Sequence, residues 1–333
     1  MEESGTKAPA TSKYSKMKCN RSILIALTLI LATINIETEG FKWSKATLAV
    51  AAPVANTTAD TRIFQEKRGW LLARCRQCPN DPANYRGGQS DRIPYIISPR
   101  NTFLLTNRPT FRWNRPVQGA KSYTVRLISP SLRKDIWQKE NVTDNKLTYP
   151  PDAPPLQPGV DYSLVIKVES GPSSNEEESP VTFRVLDARD ADDVRGASAL
   201  IYQQQLPEET KSLLLAYLYS GYYLRAEAIE LLEPLAAKSQ TPAVHRLLGD
   251  LYRQVGLASL AEPYYLKAVQ LGNAVQKLEE LAAAQAGLGE VYVTLGNKEK
   301  AVANFKLALE IYEKLNNQRR ISELKEQLIK LSI

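Results

Sequence analysis

From about Ile93 to Leu186, apolar and polar positions alternate with a period of two, and turn residues interrupt the alternation at short intervals. The pattern predicts strands at Pro94–Ile97, Thr110–Trp113, Ser122–Ile128, Asp135–Lys139, Lys146–Tyr149, Tyr162–Val168 and Val181–Leu186. Tyr123, Val125 and Leu127 share one parity, as do Tyr162, Leu164, Ile166 and Val168. Successive side chains of a strand point to opposite faces, so these sets are assigned to the core. Seven short strands in so short a stretch predict a β-sandwich. After Leu186 the alternation stops, and an acidic stretch, Asp187 to Asp193, leads into a helical segment ending near Gln205. Pro207-Glu-Glu-Thr opens a further helix, with proline in the first turn and acids at its N-terminus.

Two later segments match position by position. Leu248, Gly249, Tyr252, Gly256, Ala261, Tyr265 and Ala268 recur, with every internal spacing identical, as Leu288, Gly289, Tyr292, Gly296, Ala301, Phe305 and Ala308. The residue types have a packing logic. Gly249 and Gly289 let two helices approach, Tyr252 and Tyr292 fill the space beside them, and Ala261 and Ala301 keep the second helix near. Gly256 and Gly296 suit the left-handed residue that ends a helix. These residues resemble the tetratricopeptide repeat, which implies a stack of helical pairs. The family's usual repeat is shorter than the separation of these two copies, so a short extension is expected around Gly272 to Leu281, as a longer helix or turn. The closing proline frequent in the family is absent from both copies. A poorer unit runs from Pro207 to Ser239, where Gly221 stands further before Ala228 than Gly256 does before Ala261, which predicts a longer turn between its helices. Arg320 to Leu331 is amphipathic, with Ile321, Leu324, Leu328 and Leu331 on one face, and reads as a cap for the stack.

The resemblance implies a concave groove lined by the first helix of each pair. The residues it would present are Lys211, Leu215, Tyr219, Arg246, Asp250, Arg253, Gln254, Glu290, Val293 and Thr294. Their mixed charge suits a peptide or protein segment. Asp250 and Glu290 stand where the family's clamp for chaperone C-terminal carboxylates has asparagines, which argues against that ligand. The alternative use of such an array is packing against another chain or against its own sandwich. His245, the only histidine, sits on the side of its helix expected to be buried and reads as a packing residue.

Pro109-Thr-Phe-Arg-Trp113 followed by Tyr123-Thr-Val125 resembles the early strands of a fibronectin type III or related immunoglobulin-like domain. Leu156-Gln-Pro158-Gly159-Val-Asp-Tyr162 resembles its tyrosine corner, in which a tyrosine bonds back to upstream backbone. The resemblance implies a spacer or binding module.

Ser22 to Ile36 is an apolar run softened by Thr28, Thr33 and Asn35 and preceded by Lys13, Lys16, Lys18 and Arg21, the layout of a secretory signal peptide. A start at Met17 would give a more usual charged leader. Thr38-Glu39-Gly40 and Ala49-Val50-Ala51 compete as cleavage sites, and an uncleaved signal anchor is a third reading. The run is short for a membrane span, which needs about 20 apolar residues. Export to the periplasm or envelope of a bacterium is the expectation. Cys75 and Cys78 form a C-x-x-C, and Pro79, Asn80, Asp81 and Pro82 after it are turn residues. A loop disulfide in an oxidising compartment fits better than a zinc site, which lacks further ligands, or a redox pair, which should open a helix.

The chain of 333 residues therefore divides as follows. Residues 1–51 are a signal peptide or anchor, 52–92 a linker with the C-x-x-C loop, 93–187 the sandwich, 188–206 a connecting helix, and 207–333 the repeats with their cap. The fold class is all-β plus all-α, a seven-stranded sandwich followed by a short α-helical solenoid. Net charge is +7 overall but about +11 within 62–150, where Arg92, Arg100, Arg108, Arg112, Arg115, Lys121, Arg126, Arg133, Lys134 and Lys139 fall. A basic region can bind an acidic envelope polymer or anionic lipid, or be a solvated sheet face. Glu176-Glu177-Glu178 reads as a charge run at a loop tip. One histidine excludes multi-histidine metal sites, and no residue set supports a reaction or a cofactor. Export and the lack of a reader fold argue against nucleic acid. The expectation is a non-enzymatic scaffold or adaptor that binds a protein or peptide.

Overall fold

The computed structural model describes residues 92–115, 120–177 and 180–332. The Ser22–Ile36 run, both candidate cleavage sites, Cys75 and Cys78 lie outside the described residues. Among the described residues, eight strands form two sheets. Strands β1 (Ile96–Ser98), β3 (Thr110–Trp113) and β6 (Lys146–Thr148) make a three-stranded sheet in the order β1-β3-β6. Strands β2 (Thr102–Leu104), β4 (Tyr123–Ser129), β5 (Lys134–Val142), β7 (Asp161–Val168) and β8 (Thr182–Val185) make a second sheet in the order β2-β8-β7-β4-β5. Along the central pair, Tyr123 faces Val168, Val125 faces Ile166 and Leu127 faces Leu164 across an antiparallel ladder. Their side chains meet Phe111 and Trp113 of the other sheet, with Tyr149 and Phe183, in one core. Trp113 meets Tyr123 edge-on with ring centres 5.4 Å apart. The Tyr162 hydroxyl accepts the backbone N–H of Gln157 at 2.8 Å, which holds the chain where it crosses between sheets.

The sequence predicts seven strands, and the eighth is β2. Its three residues are too short to show a period. Its partner β8 is distant in the chain and pairs in parallel, Thr102 with Phe183 and Leu104 with Val185. Nothing local marks such a strand.

Eight α-helices follow: α1 (Ala188–Gln203), α2 (Glu208–Gly221), α3 (Arg225–Ala236), α4 (Pro242–Gln254), α5 (Ala258–Ala274), α6 (Leu278–Thr294), α7 (Lys298–Lys314) and α8 (Gln318–Ser332). Asp187 caps α1 by accepting the Asp190 N–H. From α2 onward successive helices pack on each other, and their apolar stripes merge into one core. Four turns repeat the same backbone at a constant spacing along the chain: Gly256, Gln276, Gly296 and Asn316 all take positive φ. In each turn the next residue's N–H reaches back into the preceding helix, from Leu257 to Tyr252, Lys277 to Gly272, Asn297 to Tyr292 and Asn317 to Tyr312, at 2.8 to 3.1 Å. This is the helix-ending bond that a left-handed residue makes possible. The extra length expected around Gly272 to Leu281 is not in the turn, which is as short as its neighbours. It lies in α5 and α6, with 17 residues each against 13 in α4.

The turn between α2 and α3 corrects the expectation of a longer connection. Gly221 is the last residue of α2, and Tyr223 takes the left-handed place, standing before Ala228 as Gly256 stands before Ala261. A tyrosine, not the nearby glycine, marks this turn, so its length matches the others.

Tyr223 also fastens the sheets to the helices. Its carbonyl accepts the Phe103 N–H at 2.9 Å and the Thr102 hydroxyl at 3.0 Å. Arg225 donates to the Asn101 carbonyl at 2.6 Å and lies over the Tyr223 ring. Arg100, which is 4% exposed, donates to the Val255 carbonyl at 2.8 Å and pairs with Glu177 at 2.7 Å. Arg112 of β3 makes a two-pronged pair with Glu233 of α3 at 2.7 and 2.9 Å. Tyr95 and Ile97 contribute to the helical core itself.

Candidate protein-binding face

The first helices of the successive pairs are α2, α4 and α6, and they carry all ten groove residues expected from the sequence. Their close approach depends on small residues. A β-carbon on Gly249 would meet the Tyr265 ring at 3.0 Å, and one on Gly287 would meet it at 2.4 Å. Tyr265 of α5 is thus held between α4 and α6, with its hydroxyl delivered to the charged residues of that face.

Those residues pair with one another. Arg246 donates to Asp250 at 2.5 Å, to Glu280 of α6, and to the Tyr217 hydroxyl of α2 at 2.9 Å. Tyr265 donates to Asp250 at 2.6 Å and accepts from Arg253 at 3.2 Å. Arg253 pairs with Glu290 at 2.5 Å. One network therefore joins α2, α4, α5 and α6. Burial works against the charge on Arg246, yet Tyr217, Glu280 and Asp250 hold its proton more tightly than in an ordinary arginine. Arg253 is likewise raised, against burial, by Glu290, Tyr265 and Asp250. Burial, then Asp250, raises the Tyr265 phenol, so it stays a neutral donor. A buried network of this kind is rigid when every member is satisfied.

The remaining expected residues fall into different surroundings. Leu215 is 1% exposed and offers no surface, which corrects its assignment to the groove. Leu213, Leu214, Leu215 and Ala216 of α2 are all buried, so this stretch of helix carries no polar contrast from which its outward face could be read. Lys211 pairs with Glu208 within its own first turn. Gln254 accepts from Arg225 at 3.3 Å and so belongs to the junction with the sheets. Tyr219 is half-buried against the cluster of Leu186, Val194 and Leu224. Val293 is 43% exposed, and beside it the Thr294 hydroxyl bonds back to the Glu290 carbonyl. Val293 is the exposed residue of the face, and Thr294, Glu290 and Arg253 are partly exposed beside it.

His245 is buried, with Nε2 3.1 Å from the Ser239 carbonyl and Nδ1 without a partner. It borders a groove of about 360 Å³ lined also by Tyr252, Leu260, Pro263, Tyr264 and Lys267. Tyr252 and Tyr264 stack there at 5.5 Å. Glu177 differs from the expected loop-tip acid: it accepts from Arg100 and from the Ile96 N–H, and Glu176 caps its own turn against Ser173. Four cations of the basic region have partners within the fold, the Arg115 pair lying at the surface. Arg100 and Arg112 hold the junction, Arg108 donates to the Pro150 and Ala153 carbonyls, and Arg115 pairs with Asp144.

Sequence reasoning missed Tyr217 and Glu280 as members of the network, and Arg100, Asn101, Thr102, Tyr223, Arg225 and Val255 as the junction. Glu280 precedes the recognised repeat positions, and the two sides of the junction are far apart in the chain, so neither carries a local signal. Among the described residues no helix is long and apolar enough to cross a membrane.

Residues 240–314 match the family model described as Tetratricopeptide repeat. The match takes in α4 to α7, and with the helical C-terminal region it supports a tetratricopeptide-repeat protein. Among solved structures, BtubC (BKLC) from P. vanneervenii is similar, at 16% identity, with 43% of this chain and 72% of that chain covered and a TM-score of 0.31. No curated protein matches the chain significantly.

Proposed function

We propose that the protein is a non-enzymatic scaffold or adaptor of the bacterial cell envelope, which holds a segment of a protein partner along the face formed by α2, α4 and α6. The observation that carries this reading is the tetratricopeptide match over α4 to α7, since such repeats generally mediate contacts between proteins. The network of Arg246, Asp250, Tyr265, Arg253 and Glu290 supports it by fixing the floor of the face before a partner arrives, which lowers the entropy lost on binding. The charged groups serve mainly to hold that floor. Contact with the partner falls to Val293, Thr294 and the outer edge of Glu290.

The two-sheet domain is read as a fibronectin-like spacer, on the strength of the Tyr162 to Gln157 bond and the strand motifs. Envelope location rests on the signal-like run of Ser22 to Ile36. Binding of an acidic polymer or lipid through the basic region is the lesser reading, because Arg100, Arg108, Arg112 and Arg115 already have partners within the fold.

The test is a crosslinked pull-down from envelope fractions with the full chain as bait. Val293→Glu alters the accessible face without touching the network, and Leu307→Glu, at an exposed position of α7, is the matched control. A protein retained by the unmodified chain and by Leu307→Glu but lost with Val293→Glu supports the reading. Equal retention by all three overturns it.

A further inference from the structure

Glu227 stands in the first turn of α3, where the sheets meet the helices. It is fully buried. Its Oε1 accepts the Leu105 N–H at 2.6 Å, just past the end of β2, while its Oε2 has no partner. Its setting is the apolar cluster of Leu186, Val194 and Leu224, against which Leu105 and Tyr219 pack. The titratable and charged groups acting on it are few. Glu230 on its own helix repels a negative charge, and Tyr219 of α2 is a neutral phenol whose own proton is held by burial. From the strand side comes only a backbone N–H. Arg225, on the same turn of helix, is directed to the Asn101 carbonyl, Gln254 and the Tyr223 ring. Glu227 forms no ion pair among the described residues. The N–H of Leu105 and the residue's own backbone N–H favour the ionised form, but together they do not offset the loss of water around a carboxylate.

We propose that Glu227 is a proton-operated latch between the sheet domain and the helical repeat. With the carboxyl protonated, the first turn of α3 stays fastened to the end of β2. With it ionised, the contact between Leu105 and α3 opens to let water reach the carboxylate. Burial, opposed by the bond from Leu105, lifts the carboxyl to about 7, so the change falls near neutrality. The sign follows from linkage. A carboxyl that holds its proton more tightly when closed favours the closed form below the ordinary carboxylate range, and the preference fades as pH rises toward 7. The latch is therefore tight in acid and loose at and above neutral pH.

The experiment is amide hydrogen exchange on the full chain from pH 5 to pH 8, corrected for the intrinsic rate, reading the N–H groups of Leu105 and Phe103. Their opening constant is expected to rise about ten-fold per pH unit between about pH 5 and pH 7 and then level off. In Glu227→Gln, which does not titrate, it should be flat across that range. A flat response in the unmodified protein, or the same slope in Glu227→Gln, overturns the latch. If Glu227→Gln does not fold, the carboxyl carbon resonance of Glu227 in the unmodified protein decides the question. A midpoint well above those of exposed glutamates supports the latch, and one among them overturns it. No partner enters the measurement, so its outcome is independent of the proposed binding function.

Discussion

Gly289 of α6 faces Phe305 of α7 with no room for a side chain: a β-carbon there would lie 2.4 Å from both Cδ1 and Cε1 of the ring. Phe305 is 1% exposed and is enclosed by the helical core, so it has nowhere to retreat. Gly289→Ala should therefore lower stability by about 2 kcal/mol through overpacking, although alanine is the better helix former. Gly221, at the end of α2, has nothing within 4 Å of a β-carbon and its φ is not positive. Gly221→Ala should leave stability unchanged or raise it by up to about 1 kcal/mol. Thermal denaturation of the two variants checks the contrast. If both behaved alike, close helix approach would not be the reason for the glycine.

The left-handed turns make a second comparison. Gln276 and Asn316 take the backbone of Gly256 and Gly296, and a side chain in that region costs on the order of 1 kcal/mol. Gln276→Gly should raise stability by up to about that amount, and Asn316→Gly by less, since asparagine tolerates the conformation. Tyr223 holds the same backbone with its ring packed on Phe103 and under Arg225. Here Gly and Ala should both destabilise, with Tyr223→Gly the milder by about 1 kcal/mol because it loses the ring without the strain. Denaturant titrations of the four variants would show whether the order holds.

Tyr265→Phe removes one hydroxyl that serves two charged residues, Asp250 and Arg253. The ring and its packing between Gly249 and Gly287 stay. The expected cost is about 1–3 kcal/mol, the penalty of leaving buried polar groups short of a partner. In the same network, changing Arg246, Asp250, Arg253 and Glu290 together to alanine should unfold α4 from α6 rather than only empty a binding surface. Circular dichroism of that variant against Val293→Glu separates the two effects, and a stable, fully helical quadruple variant would show that the network is dispensable.

Arg112 and Glu233 should be coupled across the junction. Each is partly exposed, at 30% and 24%, so water screens the pair. A double-mutant cycle of Arg112→Met and Glu233→Gln should return a coupling of about 1 kcal/mol. The two single changes should differ. Glu233→Gln weakens the acceptor of the Tyr252 hydroxyl as well as the bond to Arg112, and should cost more.

Much of the helical region was legible because its packing requires particular residue types at fixed separations. Gly289 against Phe305 and Tyr252 beside its neighbouring helix leave marks that survive in the letters. The turns at Gln276 and Asn316 left none, since neither residue is needed for the backbone it adopts, and the regular beat of one turn per helix was hidden inside the two-helix repeat. Strand β2 was missed because its partner β8 is distant in the chain. The expected groove residues all fall on α2, α4 and α6. Their partners were not legible, because pairing such as Arg246 with Glu280 depends on which helices become neighbours. Leu215 shows the limit of extending a repeat to its poorest copy.

The turns at Gly256, Gln276, Gly296 and Asn316 bear on how such a chain can change length. At each of them the same hinge reverses the direction of travel, so one helix added or removed would leave all that follows running the wrong way. A second restores it. Insertions and losses that preserve the helices beyond them must therefore come as whole pairs, which makes the pair the heritable unit although the single helix is the geometric one.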